Sequence, residues 1–285
     1  MTTHPPLRIL PLPDFGGIEV ARSVEARMHY PRHIEATFSI GAIEAGGLRA
    51  FHRGRVHVMA AGTVGIVGPE EVHTSDPADR AGSWSARGFY PRMEQVAAVA
   101  SDLAGRRVPA PRLRETVLRD GDLWNAIRSA CIAAEQGAPA LAREALLHRA
   151  LSLLVTRAGG LVPEDRPPRE PAAVRRARDL LAATQDGRYG ITALAEAVGL
   201  SVDRLTRAFR GAYGLPPHAW HLQHRLARAR AMIIAGMPIA EAAAATGFAD
   251  QPHLTRHFRR TYGVTPGALA PRAGIVQDAR CRPAA

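Results

Sequence analysis

The sequence predicts an α+β chain in two parts: an N-terminal sheet domain with a helical pair, then a C-terminal all-α domain. Three observations predict it. Residues 1–100 fall into short apolar runs separated by glycine turns. Residues 112–160 switch to a helical period. Residues 172–270 are helical and repeat internally. A length of 285 residues suits two domains at roughly 100–200 residues each. A hydrophobic share of 46% with 22% charge is a folding composition.

The first part reads as strands over Glu35 to Ile43, Val56 to Ala60 and Thr63 to Val67. Breaks are expected at Ala45-Gly46-Gly47, His52-Arg53-Gly54, Ala61-Gly62 and Gly68-Pro69. Many short strands with glycine turns suit a sandwich or a small barrel. Leu118, Leu123, Ile127, Cys131 and Ile132 then share one helical face. That register predicts a buried Cys131. After Gly137-Ala138-Pro139 a second helix carries Leu141, Leu146, Leu151 and Leu154 as far as Gly159-Gly160. The first helix is expected to cover the sheet and the second to make a subunit contact.

Residues 1–160 thus form one domain. Residues 161–171, with four prolines among charged residues, read as an extended linker. The helical domain spans 172–270, and 271–285 reads as a tail. No stretch reaches about 18 apolar residues, and Met1 to Arg8 does not read as a signal peptide. Cys131 and Cys281 do not make a disulfide framework, which points to a reducing cytoplasm and no membrane partner.

The charge is +11, and all 37 basic residues are arginine. Residues 1–160 carry a net +3 and residues 161–285 a net +8. A positive domain suits a polyanion, and arginine suits bidentate contacts to phosphate and guanine.

The repeat is specific. Ile191 to Leu200 matches Ile239 to Phe248 at an offset of 48, and Leu205 to Arg210 matches Leu254 to Arg259 at 49. Tyr213-Gly214 matches Tyr262-Gly263, and Pro217 matches Pro266. Each copy reads as helix, tight turn, helix. Gly199 and Gly247 stand where the first helix ends and a positive φ is needed. Ser201 and Asp250 are N-caps, and Pro252 is tolerated in a first turn. Leu205, Phe209, Leu254 and Phe258 face inward. Asp203, in a first turn, and Thr206, Arg207 and Arg210 are left to the outer face of the first copy. Gln251, His253, Arg256, Arg259 and Arg260 are left to the second. A helix from about Pro217 to Ala235, with Arg225, Arg228 and Arg230, joins the copies.

The region from Val174 to Leu269 resembles the DNA-binding domain of the AraC/XylS family of bacterial transcription regulators. Residues 247–267 carry its most specific part. The resemblance implies base or near-base contacts from Asp203, Thr206, Arg207, Gln251, His253 and Arg256, and phosphate contacts from Arg210 and Arg259. The family usually has serine where this chain has Pro252, which puts one local contact in doubt. The family's aromatic after Pro217 is Trp220 here.

Residues 20–90 resemble the same family's cupin-like sensory barrel. The resemblance rests on Tyr30-Pro31-Arg32-His33, Glu44-Ala45-Gly46-Gly47 and Gly68-Pro69-Glu70-Glu71-Val72-His73. It implies a small-molecule effector in the barrel, with His33, Glu35, Phe38 and His73 as pocket residues. It also implies double-stranded DNA as partner, a homodimer, and RNA polymerase as a further contact. Phe38, Trp84, Phe89 and Tyr90 each fit either the core or the pocket wall.

His33, Glu35 and His73 supply N and O donors that some metals accept. The set departs from the cupin metal pattern, because Glu35 stands at the usual second histidine position. No metal and no cofactor are expected. There is no phosphate-binding Gly-x-x-x-x-Gly-Lys loop, no Cys-x-x-Cys, no His-Glu-x-x-His and no Gly-x-Ser-x-Gly. The expected function is an effector-responsive, sequence-specific DNA-binding regulator and not an enzyme. A barrel enzyme fused to a DNA-binding domain and an architectural DNA-binding protein are the alternatives.

Overall fold

The computed structural model describes residues 7–79, 82–159, 171–184 and 190–269. Most of the expected linker, the tail and Cys281 lie outside the described residues.

The N-terminal part runs β1 (Leu7–Leu12), β2 (Ile18–Ala26), β3 (Tyr30–His33), β4 (Ser39–His52), β5 (Arg55–Ala60), β6 (Val64–Val67), β7 (His73–Pro77) and β8 (Trp84–Tyr90). Then come α1 (Met93–Ala104), the short β9 (Val117–Leu118), α2 (Gly121–Glu135) and α3 (Ala140–Ala158). Every strand pair is antiparallel. One leaf has the order β1-β2-β8-β4-β6-β9; β5 and β7 pair with β4, and β3 with β7. β4 belongs to both leaves, so the sheet folds over along it. The result is an open, cupin-like barrel, not a closed ring.

The strand expected to stop at Ala45-Gly46-Gly47 continues to His52. The register shifts there between Ile43 and Ala45, and Gly46 takes φ +68°. A Cβ on Gly46 would lie 1.9 Å from the Ser83 carbonyl oxygen. Glycine at this point permits a bend and a close approach without ending the strand. The turn at Arg53-Gly54 has positive φ at both residues (50° and 77°), which suits a tight hairpin between β4 and β5.

Strand alternation divides the residues between two faces. Val20, Ala42, Val64, Ile66 and Phe89 face the helices and join one core with Leu123, Ile127, Cys131, Leu151 and Leu154. Ala21, Ile43, Gly65, Ala86 and Tyr90 face the barrel interior. α2 covers the sheet as expected. Trp124 Nε1 donates to the Ile43 carbonyl at 2.8 Å, and the buried Cys131 thiol lies 3.4 Å from the Gly88 carbonyl. α3 packs on α2 and leaves Leu141 78% exposed.

The C-terminal part runs α4 (Ala172–Ala183), α5 (Ile191–Ala197), α6 (Val202–Tyr213), α7 (Pro217–Ile234), α8 (Ile239–Ala245), α9 (Gln251–Tyr262) and α10 (Pro266–Leu269). It has two small cores, one per helix pair. Leu194, Ala195, Leu205, Phe209 and Trp220 form the first. Ala243, Phe248, Leu254, Phe258 and Tyr262 form the second. The first core also contains Ile34, a barrel residue that is 1% exposed.

Candidate nucleic-acid face and interdomain cavity

The two helix pairs are built alike. Gly199 and Gly247 turn the chain at φ +69° and +73°, where a side chain is strained. The Ser201 hydroxyl accepts from the Arg204 amide at 3.3 Å, and Asp250 Oδ1 accepts from the His253 amide. Gly214 and Gly263 end α6 and α9 at φ +73° and +72°. With their inner faces buried, α6 and α9 present matched outer faces.

Asp203, Arg207 and Arg210 are exposed on α6, and Gln251, Arg256 and Arg259 on α9. Arg207 bonds Asp203 one turn back at 2.7 Å, with both side chains about three-quarters exposed. Such a pair is worth well under about 1 kcal/mol, so it orients Arg207 without sequestering it. Thr206 is half-buried, and its hydroxyl donates to the Val202 carbonyl at 2.8 Å. His253 is half-buried too. Its ring packs on Phe248, and Nδ1 accepts from the Ala249 amide at 3.3 Å. That bond leaves an Nε2–H donor on the ring's other side. Arg210 lines a cleft between α6 and the barrel, beside Arg32 and Phe51.

The linking helix is less exposed than its arginines suggest. Arg225 donates to the Thr246 carbonyl at 2.6 Å and lies over the Phe248 ring. Arg230 is buried. Its Nη1 donates to Glu19 Oε1 at 3.0 Å and its Nη2 to Glu19 Oε2, a bidentate pair between the two domains. The guanidinium sits 5.7 Å from the ring centres of both Tyr90 and Tyr262. Sequence reasoning missed this group, although a signal existed. Arg230 follows Leu226 and precedes Ile233 on the apolar stripe of α7.

A cavity of about 150 Å³ lies between the barrel interior and the C-terminal domain. An apolar hole of that size elsewhere accepts one benzene ring. His33, Glu35 and His73 line it, with Tyr30, Trp84 and Tyr90. Arg230 and Tyr262 close it from the other domain. Phe38 does not line it. It lies in the sheet–helix core at 3% exposure, because residues 34–38 form a loop before β4 and the alternation starts only at Ser39. Trp84 and Tyr90 are wall, and Phe89 is core.

The charges in the cavity are settled by their neighbours. His33 Nδ1 lies 2.8 Å from the Pro31 carbonyl and His73 Nδ1 3.0 Å from the Glu71 carbonyl. A carbonyl only accepts, so both Nδ1 atoms carry the proton and each Nε2 is an acceptor. Burial pushes both histidines below the ordinary range, His73 well below it. Burial pushes the Glu35 carboxyl up to about 7, against the pull of Arg230 and aided by Glu19. Glu35 Oε2 and the Tyr262 hydroxyl are buried without a hydrogen-bond partner. Arg87, also on the wall, is held by Glu44 and Glu135. Among the described residues, no three His, Cys, Asp or Glu side chains are placed to hold a metal ion.

A family model described as an AraC-like ligand binding domain matches residues 15–151, and one for a helix-turn-helix domain matches residues 194–272. The chain belongs to the AraC/XylS family. The arabinose operon regulatory protein of Escherichia coli is 32% identical over 90 residues, covering 31% of this chain and 30% of that protein. The virulence regulon transcriptional activator VirF of Yersinia enterocolitica is 30% identical over 79 residues, covering 27% and 29%. The match therefore spans less than a third of these AraC-family relatives. Apo ToxT from Vibrio cholerae strain SCE256 has the same overall fold, with a TM-score of 0.57 at 12% identity over 93% of this chain and 96% of that one. Unsaturated fatty acid bound ToxT aligns with a TM-score of 0.53 at 10% identity, over 87% and 92%.

Proposed function

We propose that the chain is a sequence-specific DNA-binding transcription regulator, not an enzyme, whose hold on DNA is set by a small molecule in the interdomain cavity. The observation that carries this reading is the pair of matched helix-turn-helix units with equivalent caps, glycine turns and outward arginines. α7, with 18 residues, is about 27 Å long and fixes the two units relative to each other. That length suits recognition helices in successive major grooves, about 34–36 Å apart. Arg207 and Arg256 read base edges, supported by Asp203, Thr206, Gln251 and the Nε2–H of His253. Arg259 holds phosphate. Arg210, on the barrel side of α6, reaches phosphate only at the edge of the contact.

The effector reading rests on a cavity walled by both domains, with His33, Glu35 and His73 on the barrel side. A ligand that binds one domain arrangement better than another shifts the population between them. The exposed Leu141 supports α3 as a homodimer seam. RNA polymerase is a further partner and the cytoplasm the site of action. No helix among the described residues is long and apolar enough to cross a membrane.

The test is selection of binding sites from random DNA at fixed salt, followed by titration of the best site. The expected product is a bipartite motif with halves one helical turn apart. Arg256→Ala is expected to weaken that site by about 1–3 kcal/mol while binding to unrelated DNA barely changes. Equal loss on both would remove Arg256 from base reading, and no enriched motif would favour an architectural role.

A further inference from the structure

The effector reading leaves open what the cavity takes, and the wall chemistry addresses that. The wall offers acceptors. Glu35 presents a buried carboxylate oxygen with no donor. Each of His33 and His73 has its Nδ1 proton committed to a backbone carbonyl, so each ring has a bare Nε2. Their ring centres are 4.2 Å apart. The Tyr262 oxygen is buried without a partner and can accept as well as donate.

Cations on the wall are already spent. Arg230 is bound through both terminal nitrogens to Glu19, and Arg87 is bound by two carboxylates. To pair with a cation of the wall, a carboxylate ligand would have to displace Glu19 from a buried bidentate pair or the two carboxylates on Arg87, and it would sit beside Glu35. A ligand with several N–H donors and a positive charge meets no such obstacle. It supplies the direct partner that Glu35 Oε2 lacks, since nearby Arg230 is bonded to Glu19, and burial of a carboxylate without a donor is costly until one is supplied. The remaining wall is mostly apolar, from Ile43, Met59, Trp84 and neighbouring residues, with the hydroxyl residues Ser23, Ser39, Ser75, Tyr30 and Tyr90 among them, and the volume admits a body about one ring in size.

The geometry points to a small organic ammonium ion as the ligand: a primary amine on an apolar body of one-ring size, with Glu35 as counter-ion and Tyr262 and the histidine Nε2 atoms as further acceptors. The inference rests on the interdomain cavity being a ligand site. Because Glu35 belongs to the barrel and Tyr262 to α9, such a head group touches both domains at once.

The experiment uses the full chain and three probes of nearly one shape: benzylamine, benzyl alcohol and benzoate. Binding is read by calorimetry and by the shift in melting temperature, and DNA affinity is measured separately on the same preparations. Benzylamine is expected to bind and to raise the melting temperature, with alcohol and benzoate at least about tenfold weaker. Glu35→Gln is expected to lower benzylamine affinity by tenfold or more while the protein stays folded. Tyr262→Phe keeps the ring and removes only the hydroxyl, and a several-fold loss of the amine is expected. Preference for benzoate, equal binding of the alcohol, an unaltered amine affinity in Glu35→Gln, or no binding of any probe would overturn the inference. Amine binding that leaves DNA affinity unchanged would sustain the ligand class and remove the effector reading instead.

Discussion

Glu35 shows what a single buried carboxyl does to stability. Its pKa rises from 4.5 to about 7 on folding because burial penalises the charge. Between those values the unfolded chain has lost the proton and the folded chain still holds it. Stability therefore falls as pH rises through that window and is level above about 7. Glu35→Gln removes the penalty. The variant is expected to gain up to about 3 kcal/mol over wild type at pH 8 and almost nothing at pH 4. Paired chemical denaturations at the two pH values check this, and an equal gain at both would mean that ionisation is not the cause. Residue-scale reading of the sequence put His33, Glu35 and His73 inside the barrel through the resemblance to the cupin histidine–carboxylate set, and all three line the cavity. It misplaced Phe38 because a five-residue loop precedes β4 and resets which residues point inward.

At the scale of elements the repeat made the C-terminal helices legible. Two copies of one pattern, with glycine, cap and arginine in register, fix the boundaries of α6 and α9 almost to the residue. The positive φ at Gly199 and Gly247 is what that pattern requires. Gly247→Val places a β-branched side chain in the left-handed region, at a cost of about 2–3 kcal/mol. The expected result is a lower melting temperature and loss of contact by the second unit, seen as weaker binding to one half of a bipartite site. Unchanged melting would refute the turn argument. The strands were harder to bound. Glycines 46 and 47 read as a break, yet β4 bends there and carries both leaves of the sheet, since pairing partners far along the chain decide whether a glycine ends a strand or curves it.

The whole molecule is held at a contact that local periodicity does not display. Glu19 and Arg230 lie 211 positions apart and meet as a bidentate pair, 7% and 9% exposed. Breaking one side of such a pair leaves a buried charge alone, which costs about 3–5 kcal/mol. Glu19→Gln is therefore expected to destabilise the chain by an amount of that order. The double variant Glu19→Gln with Arg230→Met is expected to recover much of the loss. If the single and double variants melt alike, the pair does not couple the domains. The cavity's far wall was invisible in the sequence for the same reason, since Arg230 and Tyr262 come from the opposite end of the chain. Only the apolar setting of Arg230 on α7 hinted that this arginine was not for DNA.

Ile34 carries the consequence furthest. It belongs to the barrel by sequence and to the first helix-turn-helix core by position. The two domains are therefore poor candidates for exchange. A recombination event that joined this DNA-binding half to another sensor would leave a socket with nothing in it, and the donor barrel would carry a bare isoleucine on its surface. In this chain, packing ties the halves together, and successful shuffling would have to move the tip of one domain along with the other.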